Sequence, residues 1–466
     1  MGIQARNAVA LSLAIAGAVA SPMRSDAVSR KGSTPPPHCR VASYAQPKGL
    51  SNTFYMTAQP CAAGGARVSR PEIPVLGWWG IPPHEASVAR YAEARDMGMT
   101  ILMQWAPDVK TARRLLDDAQ KAGIKLQMHM GALADAEKCE GVVNALKDHP
   151  ALAMYHVVDE PTIKKFPGLA EVAKKINALD PAHEPYVNLV HSVDDALQWY
   201  GGEMTYAQFV NKFLDEVPVK SVSFDCYPVY ARKRFPGNDY RICDEGYLMR
   251  TNWFETLEVC AAAAKARKLP LYAFALSCAH RVAVDYPEPQ VRFMLLEQNA
   301  NLAYGAQLLQ YFVYWPVLSN PMNYQYQPFS NSKPHRRTSV FDRVREVNRR
   351  IQARAFVFKG CSVERVRHTG ADIPTSTVRL AKGDLPKWVR SLETPDGGAV
   401  VSRLTNGGTE YVAIVNRSPD KELTLKIAFA PGVKYIRSDG TFVDASLYSG
   451  EYWMEPGAME IFCFRK

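Results

Sequence analysis

The chain has 466 residues, of which 47% are hydrophobic and 22% are charged. This length suits one large domain followed by a smaller one, and this composition excludes a wholly disordered or fibrous protein. The 56 basic and 46 acidic side chains give a net charge of +10, which suits an anionic polysaccharide partner or merely an exported protein. No recognisable nucleic-acid-binding module accompanies this charge, so no nucleic-acid partner is expected.

Residues 1–20 have the pattern of a secretory signal peptide. Arg6 gives a positive start, residues 9–19 form a short apolar run, and Ala18-Val19-Ala20 is a cleavage signal. The run is too short to span a bilayer, and no later stretch reaches about 18 consecutive apolar residues. The sequence therefore predicts a secreted or periplasmic protein without a membrane span.

Residues 21–70 are rich in Pro, Ser, Gly and Ala, which predicts an N-terminal arm or linker. The nine cysteines fit an exported chain in which some pair and at least one stays free. Cys39–Cys61 and Cys226–Cys243 are plausible local pairs, but spacing alone does not fix the connectivity. No Cys or His cluster has zinc spacing, so neither a structural metal nor a cofactor is expected.

Residues 71–358 alternate short apolar runs with amphipathic stretches, eight times over. The runs predict strands at Pro74–Trp79, Thr100–Trp105, Lys125–Met130, Leu152–Val158, Tyr186–Val190, Ser221–Phe224, Leu271–Leu276 and Gln307–Trp315. The stretches between them predict helices at Glu85–Met97, Val109–Ala122, Cys139–Lys147, Phe166–Leu179, Tyr206–Glu216, Tyr247–Lys268 and Gln290–Tyr304. Eight such units predict a (β/α)8 TIM barrel. The rival fold, an open doubly wound sheet, lacks its glycine-rich phosphate loop here.

Residues 359–466 read as short strands broken by turns such as Asn406-Gly407-Gly408, which predicts a small antiparallel β-sandwich. No acidic cluster or aromatic row in it indicates a binding site. Just before it, a predicted helix at residues 340–358 carries five arginines, interpreted as a solvated helix face: Arg343, Arg345, Arg349, Arg350 and Arg354.

Two predicted strands run from apolar residues into an acid and then a proline. Strand four ends in Asp159-Glu160-Pro161, and strand six ends in Asp225-Cys226-Tyr227-Pro228. Adjacent acids and proline are poor strand residues, and active sites of barrels collect at these carboxyl-terminal tips. The competing structural interpretation makes Asp159 the N-cap of the next helix.

Glycosidic cleavage needs two carboxyl groups beside the bond, one to protonate the leaving oxygen and one to attack or to activate water. Glu160 is the predicted acid/base, and Asp225 is the best second carboxylate by position. Asp159 should diverge from Glu160 on an extended strand, so we expect it to orient a neighbour or cap the helix. Lower-ranked second carboxylates follow in rim loops: Glu245, Asp285 and Glu288.

Aromatic rings stack on the C–H faces of sugars, whereas amides, imidazoles and carboxylates bond the hydroxyls. The predicted substrate-binding residues at the strand tips are Trp78, Trp79, Gln104, Trp105, His129, Asp159, Asn188, Tyr227, Tyr314 and Trp315. Trp78 and Trp79 cannot face the same way on a strand. For His129, a satisfied core histidine is the competing interpretation, and for Tyr314 and Trp315 it is barrel packing.

With these tips in view, the chain resembles the (β/α)8 glycoside hydrolases, particularly bacterial secreted ones with a carboxyl-terminal β-sandwich. The resemblance rests on residues 155–161, 223–228, 304–315 and 454–462. It implies a carbohydrate substrate and an acid/base at the end of strand four, which is Glu160. It also implies a nucleophilic glutamate at the end of strand seven, where this sequence reads Ser277-Cys278.

That departure leaves several alternatives open. The second carboxylate has moved to Asp225 or to a loop acid, or the mechanism is inverting, or the barrel has lost activity. The rival function is therefore a non-catalytic carbohydrate-binding barrel. Deacetylation of glycans is a third possibility, which usually requires metal ligands that the sequence does not show. The oligomeric state is not predicted.

Overall fold

The computed structural model describes residues 71–193, 199–202, 204–232, 246–281, 284–317 and 323–464. The predicted signal peptide and arm, the Cys39–Cys61 pair and Glu245 lie outside the described residues. Cys226 is a buried free thiol, and its predicted partner Cys243 also lies outside them.

Eight parallel strands close into a barrel, which confirms the predicted fold. They are β1 (Val75–Gly77), β2 (Ile101–Trp105), β3 (Lys125–His129), β4 (Leu152–Asp159), β5 (Glu184–Leu189), β6 (Val222–Phe224), β7 (Leu271–Leu276) and β8 (Ala306–Phe312). Each pairs with its neighbours in chain order, and β8 pairs with β1 to close the ring. The carboxyl ends of all eight strands therefore face one mouth of the barrel.

The helices that follow these strands are α1 (Val88–Met97), α2 (Val109–Lys121), α3 (Cys139–Leu146), α4 (Phe166–Leu179), α5 (Tyr206–Glu216), α6 (Trp253–Arg267), α7 (Val291–Ala303), α8 (Ser339–Ala353) and the short α9 (Ala355–Phe358). Helix α1 shows how the sequence sets such boundaries. The Ser87 side chain accepts a hydrogen bond from the Arg90 N–H at the start, and Gly98 ends the helix at φ 93°.

Several predicted boundaries in the barrel are wrong. The first strand ends at Gly77 and not at Trp79. Tyr247–Met249 is not the start of α6, because it pairs antiparallel with Val229–Ala231 in a ribbon at the mouth. Strand β8 ends at Phe312, so Tyr314 and Trp315 follow the strand rather than belong to it. At Tyr247–Met249 and after Phe312, short apolar runs form a ribbon and a packed loop. Periodicity alone does not distinguish such runs from the start of a helix or the end of a strand.

The barrel interior is filled by side chains. Trp78 is buried at its centre, with its ring edge-to-face against His156 at 5.1 Å and against Phe274 at 5.3 Å. Aliphatic residues from neighbouring strands complete this layer, including Ile101 and Leu308. The mouth therefore rests on a solid floor, as expected for an eight-stranded barrel.

Residues after the barrel form separate antiparallel sheets, which confirms the predicted β-sandwich. Its strands are β9 (Ser362–His368), β10 (Val389–Glu393), β11 (Ala399–Asn406), β12 (Thr409–Asn416), β13 (Leu423–Phe429), β14 (Lys434–Ile436), β15 (Phe442–Asp444), β16 (Gly450–Met454) and β17 (Met459–Phe464). One sheet has the order β9-β11-β12-β17-β14-β15 and the other β10-β13-β16. The barrel and the sandwich belong to one compact unit.

Helix α7 joins the two domains. It is buried from Phe293 to Ala303 and packs against β7 and β8 on one side and against β11 and β12 on the other. The side-chain NH2 groups of two of its asparagines donate to backbone carbonyls, Asn301 to Phe274 at 3.0 Å and Asn299 to Gly457 at 2.8 Å. A helix buried on all sides can carry amides only where such partners exist.

The five arginines predicted to form a solvated helix face, from Arg343 to Arg354, do so only in part. Arg343 pairs with Glu288 at 2.7 Å, and Arg350 pairs with Glu346 at 2.8 Å. Arg354 is 4% exposed and donates to the Met459 carbonyl at 3.0 Å, so its predicted place on a solvated face is wrong. In the described part of the chain, no helix combines the length and apolarity needed to cross a membrane.

Candidate active site

Strand β4 delivers two adjacent acids to the mouth of the barrel. Asp159 is its last residue, and Glu160 follows at φ 42°, a left-handed conformation that costs a non-glycine residue conformational energy. The Glu160 N–H nevertheless still bonds the Asn188 carbonyl of β5 at 2.9 Å. Because Glu160 is not extended, the strand rule that would send the two acids to opposite faces fails here.

Glu160 and Asp159 meet Asp225, which follows β6, and these three residues are called the acid cluster below. The Glu160 carboxyl forms a hydrogen bond with the Asp225 carboxylate. Asp159 does not cap the next helical turn, which begins at Ile163 after Thr162. Of the two roles predicted for Asp159, the structure thus excludes helix capping, whereas its contact with the neighbouring Asn188 fits the other.

Asn188 connects the two aspartates. Its Nδ2 atom donates to Asp225 Oδ1 at 2.8 Å and to Asp159 Oδ1 at 3.1 Å. Its Oδ1 atom accepts a hydrogen bond from Ser223 Oγ at 2.9 Å. The Asn188 amide therefore donates hydrogen bonds to two carboxylates, and the hydrogen bond from Ser223 fixes its orientation.

A second layer supports this amide from below. The Tyr186 hydroxyl donates to Gln310 Oε1 at 2.7 Å and lies 2.8 Å from Ser223 Oγ, and Gln310 Nε2 donates to the same Oγ at 2.9 Å. Sequence reasoning missed all three residues. The signal that could have found two of them is strand parity, since Tyr186 stands two residues before Asn188, and Ser223 two before Asp225.

Burial and mutual repulsion raise the pKa of every acid in the cluster. Burial raises the pKa of Glu160 well above its usual range, and the nearby charges of Asp225 and Asp159 raise it further. Burial, followed by the charge of Asp225, raises the pKa of Asp159 to about 7. Asp159 keeps exposed surface towards the mouth, but protein surrounds it on its other sides and displaces water there.

For Asp225, burial raises the pKa to about 6, although hydrogen bonds from Asn188, Glu160 and the Tyr227 hydroxyl act in the opposite direction. A carboxyl group that accepts hydrogen bonds is favoured in its ionised form. A carboxyl group that itself donates a hydrogen bond is favoured in its protonated form. At neutral pH the cluster therefore keeps a proton on Glu160 and negative charge on Asp225.

Tyr227 and Arg250 hold the tip of β6. The buried Tyr227 ring lies 6.0 Å from Tyr286 and from Phe312. The Arg250 guanidinium donates to the Tyr286 hydroxyl at 2.6 Å and lies 3.2 Å from His191 Nε2. Sequence reasoning missed Arg250, because the sequence predicts a helix at Tyr247–Lys268 where the structure begins with a ribbon.

Two histidines lie side by side near the tips of β3 and β4. The rings of His129 and His156 are 4.7 Å apart, and burial lowers the pKa of both, so both are neutral near pH 7. In the described part of the chain, neither Nδ1 atom has a hydrogen-bond partner. His129 is the less buried of the two and could bond a ligand hydroxyl at the mouth.

The predicted sugar platforms divide into exposed and buried rings. Trp79 is 48% exposed and Trp105 is 47% exposed, on the neighbouring tips of β1 and β2. Trp78 is instead buried in the barrel floor. The sequence predicted that Trp78 and Trp79 would separate because of strand parity. They do separate, but for another reason: β1 ends at Gly77, and Trp79 has a left-handed backbone at φ 55°.

Three other predicted residues have packing roles. Gln104 is buried, donates to the Ile81 carbonyl at 2.7 Å and accepts from the Tyr91 hydroxyl at 2.9 Å. Tyr314 and Trp315 are buried with their rings 5.3 and 4.9 Å from Phe329. None of the three presents a free face to the mouth, so none enters the proposed site.

The tip of β7 carries no acid, since Ser277 occupies it and donates to the Val313 carbonyl at 2.8 Å. The lower-ranked candidates Asp285 and Glu288 are held in ion pairs with Arg281 and Arg343, respectively. Among the described residues, the acids that act on Glu160 are Asp225 and Asp159.

Two cavities in the described part of the protein lie elsewhere than the acid cluster. A cavity of about 380 Å³ lies at the opposite end of the barrel, where Glu184, Lys220 and Tyr272 line it, and one of about 300 Å³ lies in the sandwich. Both lie away from the acid cluster and its exposed tryptophans. Within the described ranges, no group of His, Cys, Asp and Glu side chains is arranged to hold a metal ion.

At the level of sequence, no protein-family model and no curated protein matches this chain. At the level of structure, it is similar to a β-galactosidase from Bacillus circulans sp. alkalophilus, with a TM-score of 0.55 and 10% identity over 85% of this chain and 99% of the other. A family 42 β-galactosidase from G. stearothermophilus gives a TM-score of 0.55 and 9% identity over 85% and 98%. The chain has the fold of (β/α)8 glycoside hydrolases. This confirms the resemblance in fold that the strand tips predicted.

Proposed function

We propose that the protein hydrolyses O-glycosidic bonds of a poly- or oligosaccharide, with Glu160 as the general acid/base. The observation that carries this proposal is the contact between the Glu160 and Asp225 carboxyls at the mouth of the barrel. Protonation of the leaving oxygen requires a carboxylic acid that keeps its proton near neutral pH. Burial and two neighbouring acids give Glu160 that property.

Asp225 is the proposed second carboxylate. Its direct contact with Glu160 is closer than the roughly 6.5–9.5 Å that an inverting enzyme needs to place a water between its two carboxyls. The contact therefore favours retention of configuration. A direct attack by Asp225 would require the two carboxyls to separate to about 5 Å.

Trp79 and Trp105 are the proposed sugar platforms, because they are exposed rings on adjacent strand tips. His129 and Asp159 offer polar atoms to hydroxyl groups at the same mouth.

We also propose that the signal-like residues 1–20 export the protein. Fusing them to a reporter enzyme tests this: export of the fusion is expected, and retention in the cytoplasm would contradict it.

The hydrolase proposal is tested by reducing-end release from a panel of polysaccharides, including acidic ones. Glu160→Gln keeps a donor for Asp225 but supplies no proton, so kcat/KM should fall at least about 100-fold while binding persists. Glu171→Gln, an exposed glutamate on α4, is the matched control and should keep full activity. Equal activity of wild type and Glu160→Gln would remove Glu160 from this role.

One observation favours a second candidate, a non-catalytic carbohydrate-binding barrel. The tip of β7 carries Ser277 instead of an acid, and this serine is occupied by a backbone carbonyl. That function predicts glycan binding without cleavage, unchanged in Glu160→Gln. Isothermal titration with the same glycan panel separates the two functions.

A further inference from the structure

The acid cluster leaves open which group attacks the anomeric carbon. Asp225 is held from two sides, because Asn188 donates to its Oδ1 atom at 2.8 Å and its carboxylate lies against the Glu160 carboxyl. The tip of β7 offers only Ser277, whose hydroxyl is bound to Val313. An attacking group supplied by the substrate would need neither position, and Asp225 could keep its contact with Glu160.

Asp159 differs from Asp225 in its surroundings. Its Oδ1 atom accepts from Asn188 at 3.1 Å, while the residue keeps exposed surface at the mouth. It is also the chain neighbour of the acid Glu160, so any substrate whose leaving oxygen meets Glu160 passes close to Asp159. Such a carboxylate is suited to accept a hydrogen bond from a substrate N–H beside the reacting carbon.

We infer that the nucleophile is the carbonyl oxygen of the substrate's own 2-acetamido group, and that the Asp159 carboxylate accepts the N–H of that group. The substrate class is therefore glycosides of N-acetylated 2-amino sugars whose acetamido group is trans to the leaving oxygen. This inference rests on the proposed glycoside hydrolase function. Glycosidases of this substrate-assisted type need one acid and no enzymatic nucleophile.

The first step forms a bond between the acetamido oxygen and the anomeric carbon and breaks the bond to the leaving oxygen. The leaving oxygen takes the proton from Glu160, and the positive charge that spreads to the amide nitrogen is stabilised by the Asp159 carboxylate. In the second step, water attacks the anomeric carbon and gives a proton to Glu160, and the bond to the acetamido oxygen breaks. One water is consumed, the acetamide is restored and the configuration is retained.

This pathway also explains how the acid cluster can catalyse hydrolysis although its carboxyls are in contact. Glu160 and Asp225 need not separate around the sugar, because the attacking oxygen approaches from the substrate itself. An internal nucleophile is strongly favoured over an external one, with effective molarities of about 10⁵–10⁸ M for well-oriented groups. Asp225 then serves to keep the proton on Glu160, and Asn188 fixes the distance between the two aspartates.

The test compares substrates that differ only at the second carbon of the sugar. Wild-type protein is incubated with chitohexaose and cellohexaose, and with p-nitrophenyl N-acetyl-β-galactosaminide and p-nitrophenyl β-galactoside. We expect kcat/KM to be at least about 100-fold higher for the N-acetylated member of a pair that is cleaved. N-trifluoroacetyl substitution, which weakens the carbonyl oxygen as a nucleophile, should slow that substrate further.

The outcomes separate the inference from the proposed function. Cleavage of a glycan without acetamido groups as fast as its N-acetylated counterpart overturns the inference and leaves a glycoside hydrolase. Absence of cleavage from these substrates and from the polysaccharide panel, with folded protein that binds glycans, overturns both.

Asp159→Asn adds a readout that a structural role would not move. The thiazoline analogue of the cyclised sugar should inhibit the wild type competitively and bind Asp159→Asn at least about 10-fold more weakly. Asp148→Asn, an exposed aspartate outside the cluster, should bind it as the wild type does. Circular dichroism reports whether each variant is folded, and failure of the thiazoline to inhibit an active wild type would overturn the inference.

Discussion

Asn188 Nδ2 lies 2.8 Å from Asp225 Oδ1, and this contact favours a proton on Glu160 over one on Asp225. An amide nitrogen only donates, so it stabilises a carboxylate and not a carboxylic acid. The same nitrogen also holds Asp159 at 3.1 Å. The amide lowers the pKa of both aspartates against the effect of burial and does not act on Glu160, so it favours a proton on Glu160.

Asn188→Ala should shift the pH dependence of activity. Both aspartates lose a donor that lowers their pKa, so each should ionise at higher pH in the variant. The acid limb of the kcat/KM profile should then move to higher pH, and kcat/KM at its optimum should fall about 10-fold or more. A pH series on any cleaved substrate measures both effects.

Asn177→Ala is the matched control for this experiment. Its amide donates to the Pro218 carbonyl at 2.7 Å, away from the acids, so its pH profile should equal that of the wild type. An unshifted acid limb in Asn188→Ala would show that the amide does not set the ionisation of the aspartates.

Asp159→Asn should change how stability depends on pH. The pKa of Asp159 is about 7 in the folded protein and roughly 3.9 in an unfolded chain. The folded state thus binds more protons, and the stability that this contributes below about pH 4 is lost as pH rises to about 7. Asn cannot ionise, so the variant should be the more stable protein at pH 8, by on the order of 1 kcal/mol once solvent screening of this exposed side chain is allowed for.

Urea unfolding at pH 4, 6 and 8 measures this difference. Asp148→Asn should follow the wild type at every pH, since Asp148 is exposed and outside the cluster. A gap between Asp159→Asn and wild type that does not grow with pH would contradict the raised pKa of Asp159.

Trp79→Ala and Trp105→Ala should weaken binding of substrate more than they slow its conversion. Each removes an exposed ring at the mouth, and loss of a stacked aromatic contact costs about 0.5–1.5 kcal/mol beyond the buried area. KM should therefore rise about 3-fold to 10-fold with little change in kcat. Trp453→Ala is the control: this ring is 71% exposed but lies on β16 of the sandwich. An equal rise in KM for Trp453→Ala would place the platform elsewhere.

Trp315→Ala should act on stability instead. Its ring is buried against Phe329 at 4.9 Å and His335 at 5.3 Å, with the Arg90 guanidinium 5.1 Å above it. Truncation of a buried tryptophan leaves a cavity and costs about 3–5 kcal/mol. Thermal unfolding should show a lower Tm, while KM of the folded variant stays within about 2-fold of the wild type. A raised KM with an unchanged Tm would restore Trp315 as a sugar platform.

Much of the barrel could be predicted because its signals are local. Apolar runs and helical periodicity located the eight strands, and the acids and proline after β4 indicated a functional tip. The same reasoning fails where a local pattern fits more than one structure. Tyr247–Met249 and the segment after Phe312 have apolar patterns that suit a ribbon or a packed loop as well as a helix or strand.

The sequence by itself therefore determined the order of the elements and the presence of acids at the tips of β4 and β6. Only the tertiary structure decided that Glu160 meets Asp225, since β4 and β6 are separated in the barrel by β5, whose Asn188 spans the gap. It also decided that Trp79 is exposed while Trp315 is buried. The reason is physical: periodicity reports what a residue does within its own strand or helix, whereas proton position and ring exposure depend on neighbours that closure of the barrel brings together.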